Sequence, residues 1–185
     1  MTSRRLIDRH GENDAEDAMS EPVHPEIRIG HVHLQVADLQ RATDFYHKVL
    51  GFDIAMYGPD EVGVDAAWLS AGGYHHYIAV NTFHSAGGTP PPQGHTVLYH
   101  FAIIYPNRWE LAKAVKRVLE HGHTFTGTQD SGPSESVFLR DPDGNGLELY
   151  YDRPREQWTD EHGKPFFTVP RTFDPEDLLD ELGST

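Results

Sequence analysis

The sequence contains no cysteine among its 185 residues. This absence excludes disulfide bonds and thiolate chemistry, and it agrees with a reducing compartment, so we expect a cytoplasmic protein. A continuous apolar run of membrane-spanning length is also missing. The Arg4-Arg5 pair is followed by LIDRHGEND rather than by the long hydrophobic region of a signal peptide. We therefore expect no association with membranes.

Basic residues are scarce as well. Lys and Arg together number 15 against 29 Asp and Glu, which gives a formal net charge of -14 at pH 7. This charge repels nucleic acids and anionic membranes, and no basic patch with interleaved aromatic residues offsets it, so we expect no nucleic-acid partner. Histidine is abundant in contrast, with 13 residues. Neutral imidazole is a common metal ligand and a proton carrier near neutral pH, which directs attention to these histidines.

The chain divides into three regions. Residues 1–25 are polar and lack periodicity, which predicts a mobile N-terminal arm. Residues 26–152 carry the apolar patterns of one folded domain. Within it, a Gly/Pro-rich linker over 85–95 separates a module over 26–84 from a module over 96–152.

A C-terminal extension over residues 153–185 lies outside these modules. Asp174 followed by Pro175 is typical of the start of a helix, so the extension is predicted to contain a short helix. Its phenylalanines and leucines provide an apolar side. We expect that side to pack over the domain or against a second subunit of a homodimer.

The two modules repeat one pattern. Residues 27–36 alternate, with His31 and His33 on the polar face, which predicts a strand. Asp38 caps a helical pattern that ends at Gly51, and two or three short strand patterns follow. A shift of 69 positions places His31 on His100 and Asp38 on Asn107, which is predicted to cap a second helix, and three strands follow it. The sequence therefore predicts an α+β fold of two βαβββ modules, each with one sheet face buried beneath its helix.

The stretch RDPDGNGLELYYD, residues 140–152, combines a turn with a final strand. Leu147, Leu149 and Tyr151 share its apolar face, whereas Glu148 and Tyr150 share the other. Two explanations of Glu148 are open at this point. Its carboxylate is exposed to solvent, or it is buried and held by a partner or a metal.

The segments IGHVHLQVADLQRATDFYHKVLGF, LYHFAII and LRDPDGNGLELYYD resemble the vicinal oxygen chelate superfamily. This superfamily includes glyoxalase I, fosfomycin and bleomycin resistance proteins and extradiol dioxygenases. The resemblance covers about residues 27–152, and GGYHHYIAVN and DRPREQW are most similar to the catechol 2,3-dioxygenase branch. It implies a half-open barrel around one divalent metal held by His31, His100 and Glu148.

The resemblance also implies which metal is bound. Two imidazoles and one carboxylate form the facial ligand set of non-haem Fe(II) and leave three positions open, so Fe(II) is expected, with Mn, Zn and Ni as alternatives. His33 shares a strand face with His31, but the repeat favours His31. Glyoxalase-type members add a carboxylate on the last strand of the first module, where this sequence has Ala79.

The catalytic acid–base group implied by the resemblance is His76, and exposure on an edge strand is the alternative for it. Extradiol enzymes carry a histidine and a tyrosine before the DP-x-G turn, and here Ser131 and Phe138 stand in their places. The substrate pocket is predicted to be lined by His33, His75, Ser131, Phe138 and Tyr150.

The function predicted from these residues is that of a metal-dependent, extradiol-type ring-cleavage dioxygenase. It would act on a catechol-like vicinal diol with O2. The departures at Ser131 and Phe138 leave two alternatives open, a glyoxalase-like lyase or isomerase and a non-catalytic protein that binds a small molecule.

Overall fold

The structure is a computed structural model, and it describes residues 22–183. The N-terminal arm predicted over residues 1–25 lies almost wholly outside this range. None of the helices in the described part of the chain combines the length and the apolar character needed to cross a membrane.

The first module contains four strands and two helices. These are β1 (Val32–Gln35), α1 (Leu39–Asp44), β2 (Asp53–Tyr57), α2 (Gly58–Glu61), β3 (Ala66–Ser70) and β4 (Ile78–Asn81). The second module contains β5 (Phe101–Tyr105), α3 (Arg108–Glu120), β6 (Gly127–Asp130), β7 (Ser134–Arg140) and β8 (Gly146–Asp152). Apart from the one-turn helix α2, this is the predicted order of two βαβββ modules, and the α+β class is confirmed.

Each module forms its own four-stranded mixed sheet. The strand orders are β1-β4-β3-β2 and β5-β8-β7-β6. In both sheets the first strand runs parallel to the last, and the remaining pairs are antiparallel. The first and last strands therefore lie side by side, which brings the beginning of each module next to its end.

The register of the two sheets repeats as closely as the sequence does. Val32 pairs with Ile78 in the first sheet, and Phe101 pairs with Leu147 in the second. Both members of the second pair follow their counterparts by 69 residues. The helices repeat too, because Asp38 accepts a hydrogen bond from Arg41 N and Asn107 accepts one from Glu110 N, as the predicted caps require.

One apolar core connects the two modules. Helix α1 continues as a π-helical turn over Phe45–Val49, and this turn carries the fully buried Tyr46. The Tyr46 hydroxyl donates to Asp141 Oδ2 at 2.8 Å, in the turn before β8. Arg117 of α3 donates in return to the Leu50 carbonyl at 2.8 Å. The first contact fixes the turn that leads into β8, and the second joins α3 to the end of the π-helical turn.

The first strand of each module is shorter than the sequence pattern predicts. Strand β1 begins at Val32 rather than at residue 27, and β5 begins at Phe101 rather than at residue 96. The alternating pattern overestimated the length of both strands, because only residues opposite β4 and β8 pair with a neighbouring strand. His31 and His100 consequently each stand one residue before a strand.

The C-terminal extension lies along β6, the edge strand of the second sheet. Asp130 and Arg171 form an antiparallel backbone bridge, and Thr128 Oγ1 bonds to the backbone of Phe173. The chain then forms a 3₁₀ turn over Pro175–Leu179 and a final short helix, α4 (Asp180–Gly183). Leu178 in this turn is completely buried, so the extension adds to the core of the second module.

Candidate metal centre and catalytic site

The second module brings two of the expected metal ligands into direct contact. His100 precedes β5 and Glu148 lies in β8, and their atoms Nε2 and Oε2 are 3.0 Å apart. Both side chains are largely buried, with 28% of His100 and 18% of Glu148 exposed. Ser136 of β7 donates from its hydroxyl to the other Glu148 oxygen at 2.6 Å. The carboxylate therefore has a fixed orientation on the sheet face that carries His100.

These two donors fit a divalent metal. Imidazole nitrogens and carboxylate oxygens bind such ions at roughly 2.1 Å, so two adjacent ligands at a right angle lie roughly 3 Å from each other. The separation between His100 and Glu148 matches that value.

The structure does not bring the third expected ligand to this pair. The ring of His31 instead contacts the ring of His76, with centroids 4.4 Å apart. Within residues 22–183, no group of three or more His, Asp or Glu side chains is arranged to hold a metal ion. The assignment of His31 thus remains a prediction that depends on the repeat.

His33, the alternative ligand, has a partner of its own. Asn81 Nδ2 donates to His33 Nε2 at 2.8 Å, while Asn81 Oδ1 accepts from Phe83 N. Asn81 is buried and lies opposite Gln35 in the register of β1 and β4. Nε2 of His33 is therefore engaged by Asn81.

Ala79 holds, in the first sheet, the place that Glu148 holds in the second. Ala79 pairs with His33 across β1 and β4, and Glu148 pairs with Ala102 across β5 and β8. Ala79 is completely buried and its methyl group cannot coordinate a metal. The first module therefore contributes no carboxylate from its last strand.

His76 and His75 lie in the connection between β3 and β4. Their Nδ1 atoms are 2.7 Å apart, so one of them donates to the other and Nε2 of His76 is left free for other partners. Partial burial and the nearby imidazoles of His31, His75 and His33 lower the pKa of His76 below its usual value. The neutral imidazole, which can accept a proton, is thus favoured near neutral pH.

Two predicted pocket residues lie beside the His100–Glu148 pair. Phe138 is the direct register partner of Glu148, and its ring is 5.7 Å from that of His100. Tyr150 is next on the same face of β8, opposite Ser136. Partial burial, followed by the charges of Asp152 and Glu148, raises the pKa of the Tyr150 hydroxyl.

Ser131 has a different environment. It is buried in the turn between β6 and β7, where its hydroxyl bonds to Ser134 and its carbonyl accepts from Thr168 N. The contacts of Ser131 are therefore made with this turn and with the C-terminal extension.

The sequence analysis did not identify two residues on the sheet faces that carry Glu148 and Ala79. Ser136 orients Glu148, and its position two residues before Phe138 on a strand was the available signal. Trp68 pairs with Ala79 as Phe138 pairs with Glu148, so it lies on the corresponding face of the first sheet. That position becomes visible only once the strand pairing is known.

Two cavities of the described part of the chain lie away from the His100–Glu148 pair. A cavity of about 320 Å³ is lined by Ile104, Tyr105, Pro106 and Asp152. A second, of about 220 Å³, lies at the junction of the modules beside Asp143 and the linker. Neither is lined by His100 or Glu148.

The chain is similar in sequence to several curated proteins. It is 36% identical over 161 residues to catechol-2,3-dioxygenase of Bacillus subtilis (strain 168), covering 87% of this chain and 54% of that protein. It is 29% identical over 154 residues to biphenyl-2,3-diol 1,2-dioxygenase 3 of Rhodococcus globerulus, covering 80% and 78%. It is 28% identical over 131 residues to lactoylglutathione lyase of Escherichia coli O157:H7, covering 69% and 94%. The chain thus spans about half the length of the first of these relatives.

The fold is shared with solved structures. The crystal structure of a glyoxylase/bleomycin resistance protein/dioxygenase domain from Frankia sp. EAN1pec superimposes with a TM-score of 0.57 at 22% identity, covering 69% of this chain and 98% of that one. The sequence model of the Glyoxalase/Bleomycin resistance protein/Dioxygenase superfamily matches residues 28–149, which is more than half of the chain. The protein therefore belongs to the glyoxalase/bleomycin resistance protein/dioxygenase superfamily.

Proposed function

We propose that the protein is a metal-dependent ring-cleavage dioxygenase of the extradiol type, which acts on a catechol-like vicinal diol with O2. The observation that carries the proposal is the contrast between the two sheets. The last strand of the second module presents Glu148 beside His100, whereas the last strand of the first module presents Ala79. This donor set has one carboxylate rather than two, which favours open coordination positions for a diol and O2.

His31, His100 and Glu148 are the residues that would hold the metal, and Fe(II) is the metal we expect there, with Mn, Zn and Ni as alternatives. The metal would supply a Lewis acid and an electron path between the diol and O2. Ser136 holds the Glu148 carboxylate in place by its 2.6 Å hydrogen bond. The Phe138 ring contacts the ring of His100, with centroids 5.7 Å apart, so it would form an apolar wall beside the metal.

His76 is the proposed proton carrier. Its Nδ1 is engaged with His75, so proton exchange with a substrate hydroxyl falls to Nε2. Its lowered pKa keeps the imidazole neutral and ready to accept that proton near pH 7. The similarity to catechol-2,3-dioxygenase over 87% of this chain supports the same assignment of reaction type.

The glyoxalase-like alternative has support of its own. The match to lactoylglutathione lyase covers 94% of that enzyme. Phe138 also lacks the phenol that extradiol enzymes place before the turn. A lyase or isomerase would use the same donors without consuming O2.

Purification without oxygen, elemental analysis and a catechol panel in an oxygen electrode test the proposal. We expect about one metal ion per chain, uptake of O2 and a yellow ring-opened product. Metal-loaded protein that isomerises the glutathione adduct of methylglyoxal without O2 uptake would replace the proposal with the lyase. A chain that binds catechol without metal and without turnover would indicate a binding protein.

A further inference from the structure

Only one oxygen of the Asp143 carboxylate is bonded to the protein. Asp143 lies in the turn before β8, and its side chain is 10% exposed. Its Oδ1 accepts from Ala37 N at 2.8 Å and from Arg41 Nη2 at 2.9 Å. Its Oδ2 is buried and has no hydrogen-bond partner within residues 22–183. Because a buried carboxylate oxygen without a partner is costly, a group from outside this range is expected to meet it.

Asp143 lines the cavity of about 220 Å³ at the junction of the modules, which we call the junction cavity. The end of β1, the linker and the turn before β8 form its walls. Gly87 N of the linker donates to the Ala37 carbonyl at 2.8 Å, and Ser85 Oγ donates to the Val36 carbonyl at 2.9 Å. The linker is therefore fastened to the first module, and Asp143 joins the second module to the same segment.

The polar side chains that line the junction cavity present hydrogen-bond acceptors. Ser85 uses its hydroxyl hydrogen on a backbone carbonyl, so the lone pairs of its oxygen remain to accept. Asn145 donates from Nδ2 to Asp141 Oδ2 at 2.9 Å, which leaves Oδ1 as its acceptor. Gln35 and Thr89 add an amide oxygen and a hydroxyl to the lining. A ligand that fits these groups brings N–H donors or a positive charge.

No positively charged side chain competes for Asp143 Oδ2 from the cavity wall. Asp143 is the one charged residue among the described residues that line the junction cavity. Arg41 bonds to the other carboxylate oxygen and is 49% exposed, and Arg140 Nη1 donates to the Gly144 carbonyl at 2.7 Å. Neither arginine lines the cavity. A cation inside it would therefore contact Oδ2 directly.

The size and the apolar walls of the junction cavity favour an organic cation. The volume of about 220 Å³ exceeds that of one water molecule, roughly 30 Å³ in the liquid, several times over. Ala37, Pro90 and Pro91 supply apolar surface to the lining. A single metal ion would leave this surface uncovered. A primary ammonium group has three N–H donors, as in lysine, and its alkyl chain can pack against the proline rings.

We propose that the junction cavity binds a small primary alkylammonium ion, which donates to Asp143 Oδ2 and to the side-chain oxygens around it. The site is separate from the His100–Glu148 pair. It requires no metal, diol or O2, so it stands or fails independently of the proposed dioxygenase.

The test compares ethylammonium chloride with tetramethylammonium chloride at equal ionic strength, because the second cation has the same charge but no N–H donor. The backbone amide of Ala37, which bonds to Asp143, reports on the site in two-dimensional NMR spectra. We expect ethylammonium to shift this amide signal saturably. It should also raise the Tm by about 3 to 6 °C at ten times its Kd, whereas tetramethylammonium does neither.

Two substitutions locate the site. Asp143→Asn replaces the carboxylate at nearly the same volume and should abolish the saturable shift. Thr89→Val removes a hydroxyl from the exposed linker and should weaken ethylammonium binding about two- to tenfold, the value of one hydrogen bond. Because Thr89 is exposed, this variant keeps the test decisive if Asp143→Asn is too unstable to study. Asp53→Asn removes the same charge at an exposed position on β2 and should bind as the wild type does.

Four results would overturn the proposal. An equal response to tetramethylammonium would reduce the effect to ionic strength. Saturation by Na⁺ or K⁺ at lower concentration than by ethylammonium would make the cavity a metal-ion site. The lack of a saturable shift with ethylammonium would leave water as the partner of Asp143 Oδ2. Folded Asp143→Asn and Thr89→Val variants that bind ethylammonium like the wild type would place its binding elsewhere.

Discussion

The imidazole ring of His76 lies 4.4 Å from the ring of His31, across the gap between the β3–β4 connection and the beginning of β1. A residue proposed to carry protons is thus in contact with a residue proposed to hold the metal. The two roles can be separated by substitution. Removal of a ligand changes metal content, whereas removal of a proton carrier changes only turnover.

His76→Ala is expected to retain its metal and to lose about a hundredfold to ten-thousandfold in kcat, the usual contribution of a positioned acid–base group. Steady-state oxygen uptake by metal-replete protein measures this loss. His75→Ala is the control, because it removes the partner of Nδ1 but leaves Nε2 of His76 in place. A metal-loaded His76→Ala variant as active as the wild type would exclude His76 from the mechanism.

Substitution of each expected ligand should lower metal content. We expect His31→Ala, His100→Ala and Glu148→Ala each to lose most of the bound metal, measured by elemental analysis after dialysis. His33→Ala is the control, since its ring is bonded to Asn81 and should not contribute to binding. Equal metal loss in His33→Ala and His31→Ala would show that the repeat assigns the wrong histidine.

Substitutions of Ala79 test whether the lack of a carboxylate on the last strand of the first module is needed for O2 uptake. Ala79→Glu places a possible fourth ligand opposite His33, and we expect tighter metal binding with at least about tenfold slower O2 uptake. Ala79→Gln has nearly the same volume but no charge, so it controls for crowding at this buried position. If both variants lose activity to the same extent, packing rather than coordination explains the loss.

The Asp130–Arg153 ion pair makes stability depend on pH. Arg153 Nη1 is 2.7 Å from Asp130 Oδ1, and this hydrogen bond holds the pKa of Asp130 below its usual value. A carboxyl group with a lower pKa in the folded state stabilises the fold above its unfolded pKa of about 4. That stabilisation is lost as the pH falls through the folded pKa.

Urea unfolding of Asp130→Asn should therefore show a deficit of about 1 kcal/mol at pH 7, a modest value because a third of the Asp130 side chain is exposed. The deficit should shrink towards zero as the pH is lowered below about 3. Asp53→Asn, at an exposed position on β2, should match the wild type at both pH values. A deficit for Asp130→Asn that is independent of pH would contradict the assignment.

The sequence predicted those parts of the fold that local chemistry determines. Asp38 and Asn107 could be assigned as caps because the first backbone N–H groups of a helix need a side-chain acceptor just before it. The 69-residue repeat could be found because both modules bury the same strand face. The start of β1 could not be found, since it depends on where β4 offers a partner rather than on alternation.

The sequence indicated some contacts of the candidate site and not others, for a similar reason. His100 and Glu148 are brought together by the parallel pairing of β5 with β8, and it was the family resemblance that indicated both residues. The contact of His31 with His76 arises from the β3–β4 connection, whose path depends on tertiary packing and has no periodic signal. Ser131 was assigned by motif spacing alone, and spacing carries no information about the segment that covers it.

Phe138 decides how closely the site follows extradiol enzymes, because it is the register partner of Glu148 and its ring is 5.7 Å from that of His100. Phe138→Tyr adds a hydroxyl at this position with little change in volume. A hydrogen bond to a charged group contributes roughly 1.5 to 3 kcal/mol, which corresponds to about one to two powers of ten in rate. We expect at least about tenfold faster cleavage of simple catechols, measured by formation of the yellow product.

Ser131→His would restore the second donor, but Ser131 is buried beneath Thr168, so we expect no further gain and a loss of stability in the double variant. A folded, metal-loaded Phe138→Tyr variant without a gain on any catechol would favour the lyase over the dioxygenase, because the pocket would then have been shaped for a different substrate.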